Sequence, residues 1–302
     1  MQPGPILVTG GSGQLARALS DAAGTRPMLR VGRPAFDFDA PSTLPAELER
    51  IAPAIIVNAA AYTAVDRAET DADAADRANH LGPKLLAAYC ARAGIPLIHV
   101  STDYVFDGTK GAPYTERDPT HPSGVYGATK LAGEQAVLAG CDQAMVLRTA
   151  WVYSATGRNF VVTMLNAARK NPRLRVVADQ IGNPTAAPDL AAAILGIVDS
   201  LGDGWGSAYG GVFHAAGSGA TSWHGLACAA FAAAAARGQA APEVEPIATA
   251  DWPTPVRRPP DSRLDCTRLE QTFGQRLPEW DLTLPGIVDR ILAERMNPDI
   301  PR

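Results

Sequence analysis

The sequence has few cysteines and no motif that brings them together. Its four cysteines, Cys90, Cys141, Cys228 and Cys266, are far apart along the 302 residues, and none forms a CxxC pair. Isolated thiols are typical of reduced, cytoplasmic proteins and argue against a disulfide framework. The five histidines are equally scattered, without an HExxH motif or a mixed Cys/His cluster. We therefore expect a cytoplasmic protein with no metal site.

Long apolar runs and blocks of positive charge are also missing. The longest apolar run, from Leu226 to Ala236, is shorter than the roughly 18 residues that span a membrane, and most of it is alanine. The first residues, Met1 to Gly4, show neither the charged nor the apolar region of a signal peptide. The formal charge is −4 and the pI is about 5.7, so we expect no binding to nucleic acid or membranes.

What the first half does contain is a regular alternation of short apolar segments and helical stretches. The predicted strands are Ile6–Thr9, Met28–Arg33, Ala54–Asn58, Pro96–Val100 and Met145–Arg148, and the predicted helices begin at Gln14, Asp71 and Val125. The second helix is expected to continue to Ala93. The strands are almost continuously apolar, which indicates burial on both faces. The pattern predicts an α/β fold, a doubly wound parallel sheet of the Rossmann type.

The second half is less regular and predicts a smaller, partly interleaved C-terminal substrate domain. Predicted helices cover 160–171, 188–201 and 222–237, and predicted strands cover 174–177 and 212–215. The proline-rich stretch from Pro246 to Pro260 suits a wall around a ligand. We assign 1–153 to a dinucleotide-binding domain, to which 173–215 adds strands and helices. The substrate-binding cap then comprises 154–172 and 216–302.

A glycine-rich turn follows the first strand and opens the first helix. It has the spacing Gly10-x-x-Gly13-x-x-Ala16. A dinucleotide pyrophosphate needs free backbone N–H groups at a helix N-terminus, with no Cβ in the way. Gly10 allows the tight turn, Gly13 the close approach of the phosphates, and Ala16 the packing of helix on strand. The alternative is an ordinary tight turn between a strand and a helix.

The end of the second predicted strand bears on cofactor choice. An acid at this point usually binds the ribose 2′-hydroxyl of NADH, but here the strand ends at Val31-Gly32-Arg33. Arg33 can pair with the 2′-phosphate of NADPH, or it can be a solvated surface cation. The first interpretation favours NADPH, with NADH still possible.

Thr102, Tyr126 and Lys130 form the predicted catalytic set. Thr102 ends the fourth strand, and a spacing of four places Tyr126 and Lys130 one turn apart on the next helix. Reduction of a ketone leaves an alkoxide that needs a proton, and free tyrosine has a pKa of about 10. We expect the Lys130 ammonium to lower the pKa of Tyr126, and Thr102 to position the substrate oxygen. The alternative is a core tyrosine and a surface lysine.

Longer motifs carry a family resemblance. They are Gly10-Gly11-Ser12-Gly13-Gln14-Leu15-Ala16, the run from Val57 to Glu69, the run from Ser101 to Gly108, Tyr126 to Glu134, Arg148 to Tyr153, and Asp179-Gln180-x-Gly182-x-Pro184-Thr185. Together they resemble the dTDP-4-dehydrorhamnose reductase family of extended short-chain dehydrogenases/reductases. The resemblance covers about Ile6 to Arg295 and is densest up to Thr185. It implies reduction of the 4-keto group of dTDP-4-dehydrorhamnose to dTDP-L-rhamnose with NADPH or NADH.

The resemblance also implies roles for individual residues. Gln14, Leu15, Asp37, Phe38, Ala61, Tyr62 and Thr63 would join Gly10, Gly13 and Arg33 in contacting the dinucleotide. Tyr126 would donate the proton, and Lys130 would also touch the cofactor. Thr102, Asp103 and Trp151 would face the sugar, whereas Asn159, Arg258 and Arg263 would lie near the nucleotide part of the substrate. An arginine fork suits a diphosphate because it binds two oxygens at once.

Other functions and assembly states stay open at this point. Some members of the family dimerise through a magnesium ion held partly by a glutamate of the first helix, but that helix here, Gln14 to Ser20, contains no glutamate. We expect a monomer or a homodimer. A nucleotide-sugar epimerase or dehydratase, or another nucleotide-sugar reductase, would share the glycine turn and the Tyr/Lys pair. A non-catalytic regulatory subunit of methionine adenosyltransferase has the same fold but no need of the catalytic set.

Overall fold

The computed structural model of the chain describes residues 4 to 296. Its strands are β1 (Ile6–Thr9), β2 (Met28–Val31), β3 (Ile55–Asn58), β4 (Leu97–Thr102), β5 (Ala144–Thr149), β6 (Val152–Tyr153), β7 (Arg173–Val177), β8 (Ile181–Gly182), β9 (Thr185–Ala186), β10 (Gly211–His214), β11 (Thr221–Ser222) and β12 (Glu243–Ile247). Its α-helices are α1 (Gln14–Ala22), α2 (Leu44–Ile51), α3 (Val65–Ala68), α4 (Ala72–Asp76), α5 (Gly82–Ala93), α6 (Val125–Gly140), α7 (Phe160–Ala168), α8 (Ala187–Ser200), α9 (Trp223–Ala235), α10 (Thr267–Phe273) and α11 (Trp280–Met296).

The main sheet confirms the predicted doubly wound fold. Six strands pair in the order β10-β5-β4-β3-β1-β2, and all of the pairs are parallel. The chain winds outward from β1 to β2 and then crosses back to β3 on the other side of β1. The carboxyl ends of β1 and β3 therefore meet at a switch point, where Thr9 is paired in register with Asn58. Ligands of such sheets bind in the crevice at this point.

The sheet is buried on both faces because its strands are apolar throughout. Ile6 and Val8 pack on one face with α1 and α8, and Leu7 packs on the other with α2 and α5. Strand residues next to each other point to opposite faces. An apolar run such as Ile6–Thr9 therefore requires helices on both sides, as predicted.

A separate apolar core underlies the second half of the chain. It unites α7, α9 and α11 with β7 and β12, through residues such as Val161, Phe231 and Ile287. The strand β7 was expected to extend the main sheet, but it pairs with β12 instead. Part of 216–302 also lies outside this core, because Leu269 and Phe273 of α10 pack in the main domain. The exact domain boundaries remain a prediction.

The predicted helix from Asp71 to Ala93 is interrupted. The structure has α4, a π-helical turn over Arg77–Leu81, and then α5. Pro83 has no N–H group to donate to residue 79, which breaks the regular i to i−4 ladder there. The turn directs the Asn79 side chain inward, where its Oδ1 accepts a hydrogen bond from Tyr62 N at 2.8 Å and its Nδ2 donates to Tyr62 O at 3.2 Å. A π turn of this kind often marks a functional site.

The sequence prediction omitted α2 and the C-terminal helices α10 and α11.

In residues 4 to 296, no helix combines the length and the apolar character that a membrane crossing requires.

Candidate active site

The glycine turn after β1 forms a bare backbone cradle. Gly10 has a φ of +102° and Gly11 one of +48°, both in the region that favours glycine. A Cβ on Gly10 would lie 2.9 Å from the Ala59 carbonyl oxygen, and one on Gly32 would lie 2.6 Å from the Gly11 Cα. Gly13 directly precedes α1, so the first N–H groups of that helix face the space beside the turn. This is the geometry that a pyrophosphate requires.

A cleft of about 1030 Å³ extends from the glycine turn across the carboxyl ends of the strands. It brings together most of the residues singled out in the sequence. Its lining includes Gly10, Gly13, Gln14, Leu15, Arg33, Phe38, Ala61, Tyr62, Thr63, Thr102, Asp103, Tyr126, Lys130 and Trp151. The individual roles of these residues remain predictions, but their placement in one cleft is what the predictions require.

The predicted catalytic set, Thr102, Tyr126 and Lys130, lies together in this cleft. Tyr126 and Lys130 are one turn apart on α6 and are 8% and 1% exposed. The Lys130 ammonium donates a hydrogen bond to the Val100 carbonyl at 2.7 Å. Thr102 lines the same cleft, and its hydroxyl donates to the buried carboxylate of Asp103 at 3.1 Å.

The electrostatics of the pair differ from the expectation that Lys130 lowers the pKa of Tyr126. Burial raises the pKa of Tyr126 well above its ordinary value, and the nearby Asp103 and Tyr104 raise it further. The hydrogen bond with Thr102 opposes this rise, but Lys130 does not. Burial also lowers the pKa of Lys130 to about 8, with Glu134 partly offsetting the effect. Desolvation, which disfavours the charged form of both groups, therefore outweighs the expected attraction between the phenolate and the ammonium.

Asp103 is an unusually buried acid. Its side chain is 2% exposed, and burial raises its pKa to about 6, despite hydrogen bonds with Ser262 and Thr102. In the part of the chain that the structure describes, its Oδ2 atom has no hydrogen-bond partner. Asp103 therefore has one buried carboxylate oxygen without a hydrogen-bond partner at the border of the cleft.

Two tryptophans form one wall of the cleft. Trp151 has a φ of +47°, a strained value for a residue with a bulky side chain, and a Cβ on Gly182 would lie 2.5 Å from its ring. Trp223 also lines the cleft, and its Nε1 donates to Gln180 Oε1 at 3.1 Å. Sequence reasoning missed Trp223, because nothing in its local motif indicates that the start of α9 lies against Trp151.

Three residues predicted to lie near the nucleotide of the substrate do not line the cleft. Asn159 caps α7 by accepting from Val162 N and donates to Gln14 Oε1 at 2.9 Å. Arg258 pairs with Asp66 at 2.6 Å and lies over the ring of Tyr104.

The third residue, Arg263, is bound by Asp261 at 2.6 Å. The side chains of Asn159, Arg258 and Arg263 are thus all held by protein partners, and their place near the nucleotide part of the substrate stays a prediction.

A second pocket, of about 520 Å³, adjoins the cleft beyond β2. Arg33 forms ion pairs there with Asp37 and Asp39, and Arg77 donates to Asp39 at 2.6 Å. Asp37 itself does not line the pocket or the cleft. The loop after β2 therefore folds back and places the carboxylates of Asp37 and Asp39 against Arg33.

No metal-binding cluster is found in residues 4 to 296, where no three His, Cys, Asp or Glu side chains come close enough to hold an ion.

Comparisons with known proteins agree with this geometry. Residues 4–293 match the family described as RmlD substrate binding domain. The dTDP-4-dehydrorhamnose reductase of Sinorhizobium fredii is 44% identical over 292 residues, which cover 96% of this chain and 98% of that protein. The crystal structure of a dTDP-4-dehydrorhamnose reductase from Clostridium acetobutylicum has a TM-score of 0.89 and 35% identity, covering 95% of this chain and 99% of that one.

A second crystal structure, that of dTDP-4-dehydrorhamnose reductase from Bacillus anthracis in complex with NADP, has a TM-score of 0.87 and 30% identity. It covers 97% of this chain and 100% of that one. With the fold, the glycine cradle and the cleft in place, these similarities over nearly the whole length show that the chain belongs to the dTDP-4-dehydrorhamnose reductase family.

Proposed function

We propose that this chain reduces the 4-keto group of dTDP-4-dehydrorhamnose to dTDP-L-rhamnose, with NADPH as the preferred cofactor and NADH as a possible substitute. The observation that carries the proposal is the single cleft in which the glycine cradle, Thr102, Tyr126 and Lys130 lie together. The similarity to the dTDP-4-dehydrorhamnose reductase of Sinorhizobium fredii, at 44% identity over nearly the full length of both proteins, supports the choice of substrate.

The residues of the cleft fit a nicotinamide dinucleotide. Gly10 and Gly13 have no Cβ, and the α1 N-terminus beside them favours a pyrophosphate. Tyr62 and Thr63 line both the cleft and the pocket that adjoins it, and Lys130 lies deeper in the cleft. Once bound, the cofactor supplies the hydride.

Tyr126 is the proton donor in this proposal. Its raised pKa keeps the phenol protonated at neutral pH, so the proton is available when negative charge develops on the C4 oxygen of the sugar. The hydroxyl of Thr102 lines the same cleft and can turn from Asp103 Oδ1 to donate its hydrogen to the same oxygen. The ketone thereby gains one hydride and one proton and becomes an alcohol, and the phenol is reprotonated from solvent.

Lys130 and Asp103 support this step from opposite sides. With a pKa of about 8, Lys130 can exchange its proton near the working pH and can take part in returning a proton to Tyr126. Asp103 borders the cleft, and a small movement of its side chain would let the unpartnered Oδ2 accept a hydrogen bond from a sugar hydroxyl. The wall made by Trp151 and Trp223 suits the apolar face of a deoxy sugar.

The proposal is tested by following NADPH absorbance with two matched 4-keto-6-deoxy sugars, one linked to dTDP and one to UDP. We expect stoichiometric NADPH oxidation and alcohol formation with the dTDP sugar, and slower turnover with the UDP sugar. An epimerase would interconvert sugars without net cofactor consumption. Binding of the cofactor without any turnover would favour the non-catalytic alternative and contradict the proposal.

A further inference from the structure

A chain of hydrogen-bonded polar side chains crosses the buried centre of the main sheet. Thr9, Asn58 and His99 lie on neighbouring strands and are each no more than 1% exposed. Thr9 Oγ1 donates to Asn58 Oδ1 at 2.5 Å, and Asn58 Nδ2 lies 2.9 Å from His99 Nδ1. Polar side chains buried in the centre of a sheet lower the stability of the fold unless they are hydrogen-bonded. This series of hydrogen bonds ends at Lys130, because His99 Nε2 lies 3.5 Å from Lys130 Nζ.

The hydrogen bonds of Thr9 and Asn58 determine which nitrogen of His99 carries the proton. The Ala60 N–H donates to Thr9 Oγ1 at 3.2 Å and to Asn58 Oδ1 at 3.3 Å, which identifies Oδ1 as the acceptor end of the amide. The Asn58 Nδ2 group therefore donates to His99 Nδ1. Burial holds the pKa of His99 well below its usual value, so the ring is neutral. A neutral imidazole that accepts at Nδ1 carries its hydrogen on Nε2.

The Nε2–H group faces a nitrogen that can accept it in only one protonation state. An amine has a lone pair, whereas an ammonium has only donors. As an amine, Lys130 can accept from His99 and still donate to the Val100 carbonyl at 2.7 Å. As an ammonium, it would direct an N–H against the N–H of His99.

Other charged groups near Lys130 act in the opposite direction. Glu134, on the same helix, favours the ammonium. Its carboxylate is already bound by Arg148 of β5 at 2.7 Å and by the Ser101 hydroxyl of β4 at 2.5 Å. Tyr126 lies one turn away on α6 and is a neutral phenol at ordinary pH. His99 is therefore the group in contact with the Lys130 nitrogen that opposes its charged form.

We propose that His99 is a positioning residue of the reductase, which holds the Lys130 nitrogen in place and favours its amine over its ammonium form. This inference rests on the role proposed above for Lys130. Its consequence is that the lysine gains and loses a proton close to neutral pH, where proton exchange with Tyr126 is useful. The Thr9–Asn58 pair acts one step further back, by fixing the orientation of the imidazole.

Two substitutions separate the two bonds of the imidazole. In His99→Asn, the amide oxygen can replace Nδ1 as the acceptor for Asn58, but no atom reaches Lys130. In His99→Gln, the longer amide can place an N–H where Nε2–H was. His214 supplies the control, since it is equally buried in the same sheet but bonds the carbonyls of Tyr114 and Asp265. His214→Asn therefore removes a buried imidazole without touching Lys130.

The Lys130 pKa is read directly by NMR of protein labelled with 13C at lysine Cε. The chain has four lysines, Lys84, Lys110, Lys130 and Lys170, so the spectrum is simple, and Lys130→Met identifies the signal. We expect His99→Asn to raise the proton affinity of Lys130 at least about threefold, which is about 0.5 pH unit. His99→Gln and His214→Asn should leave it nearly unchanged. No change in His99→Asn, or an equal change in His214→Asn, would overturn the proposal.

A second measurement needs no variant, in case His99→Asn does not fold. The 15N spectrum of the five histidines in the wild-type protein should show His99 as the neutral Nε2–H tautomer between about pH 5 and pH 9. An Nδ1–H tautomer or an imidazolium would contradict the inference. Neither spectrum requires substrate, so failure of the proposed reductase activity is distinguishable from failure of this inference. If the proposed reductase activity and this inference are both correct, the alkaline limb of the pH profile of kcat moves to higher pH in His99→Asn. It stays in place in His99→Gln.

Discussion

The indole rings of Trp151 and Trp223 lie face to face, with centroids 3.5 Å apart and planes 7° from parallel. Trp151 is strained at a φ of +47°, and its ring lies against both Trp223 and Gly182. Aromatic pairs contribute about 0.5–1.5 kcal/mol beyond the area that they bury. We therefore predict that Trp223→Ala raises the KM for the sugar nucleotide about 2- to 10-fold, with a smaller effect on the KM for NADPH.

Trp205 provides a control for this prediction, because it is partly buried beside Tyr209, away from the cleft. Trp205→Ala should leave the KM for the sugar nucleotide unchanged. Similar KM values for wild type and Trp223→Ala would remove Trp223 from the substrate wall.

The Glu134–Arg148 ion pair is buried, with side-chain exposures of 3% and 5%. Breaking a buried pair leaves one charge without compensation, which usually lowers stability by about 3–5 kcal/mol. We predict a loss of this size in Glu134→Gln by urea denaturation, with partial recovery in the double variant Glu134→Gln/Arg148→Met. The exposed pair of Glu49 and Arg92 is the control, since Glu49→Gln should change the free energy of unfolding by less than about 1 kcal/mol. Equal losses of stability in Glu134→Gln and Glu49→Gln would contradict the conclusion that the buried Glu134–Arg148 pair stabilises the fold.

Asp103 makes stability depend on pH. Its folded pKa of about 6 lies above the ordinary value of 3.8, so the unfolded state releases its proton first as the pH rises. The ionised, buried carboxylate therefore destabilises the fold above about pH 6, by up to about 3 kcal/mol, and this penalty is absent below about pH 4. Asp103→Asn should thus be more stable than wild type at pH 8 and similar to it near pH 4, while losing activity. Urea denaturation at both pH values checks this; a stability difference that does not shrink on acidification contradicts it.

We expect the cofactor preference to depend on opposing charges in the pocket beyond β2. In the proposed function Arg33 attracts a 2′-phosphate, whereas Asp39, which is bound to both Arg33 and Arg77, weakens that attraction. We expect Arg33→Ala to raise the KM for NADPH about 10-fold, the low end for charge-assisted hydrogen bonds at a screened site, and to leave the KM for NADH nearly unchanged. Asp39→Ala should act in the opposite direction and increase the preference for NADPH. Equal changes for both cofactors would show that this pocket does not recognise the phosphate.

Much of the fold and the cleft follows from local sequence patterns. Continuous apolar strands such as Ile55–Asn58 require two covering layers, and Gly10 with Gly13 requires a bare turn before a helix. The four-residue spacing of Tyr126 and Lys130 places both on one side of α6. Each of these inferences needs only neighbours along the chain, which is why it could be made from the sequence.

What the sequence could not provide depends on contacts between distant segments. The partners of Arg258 and Arg263, the stacking of Trp223 on Trp151, and the return of Asp39 to Arg33 are all set by tertiary packing. The same is true of burial: Lys130 has a surface-type side chain but is 1% exposed. Its desolvation reversed the expected electrostatics of the catalytic pair.

The most direct test of the account is a comparison of Tyr126→Phe with Tyr89→Phe. Tyr89 is a buried tyrosine whose hydroxyl donates to the Leu48 carbonyl, in the core beneath α2 and away from the cleft. With dTDP-4-dehydrorhamnose and NADPH, we predict that Tyr126→Phe lowers kcat by about 10²–10⁴-fold, the usual contribution of general acid catalysis, while NADPH affinity stays within a few-fold of wild type. Tyr89→Phe should retain wild-type kcat. A kcat for Tyr126→Phe within a few-fold of wild type would contradict the central claim that this phenol donates the proton.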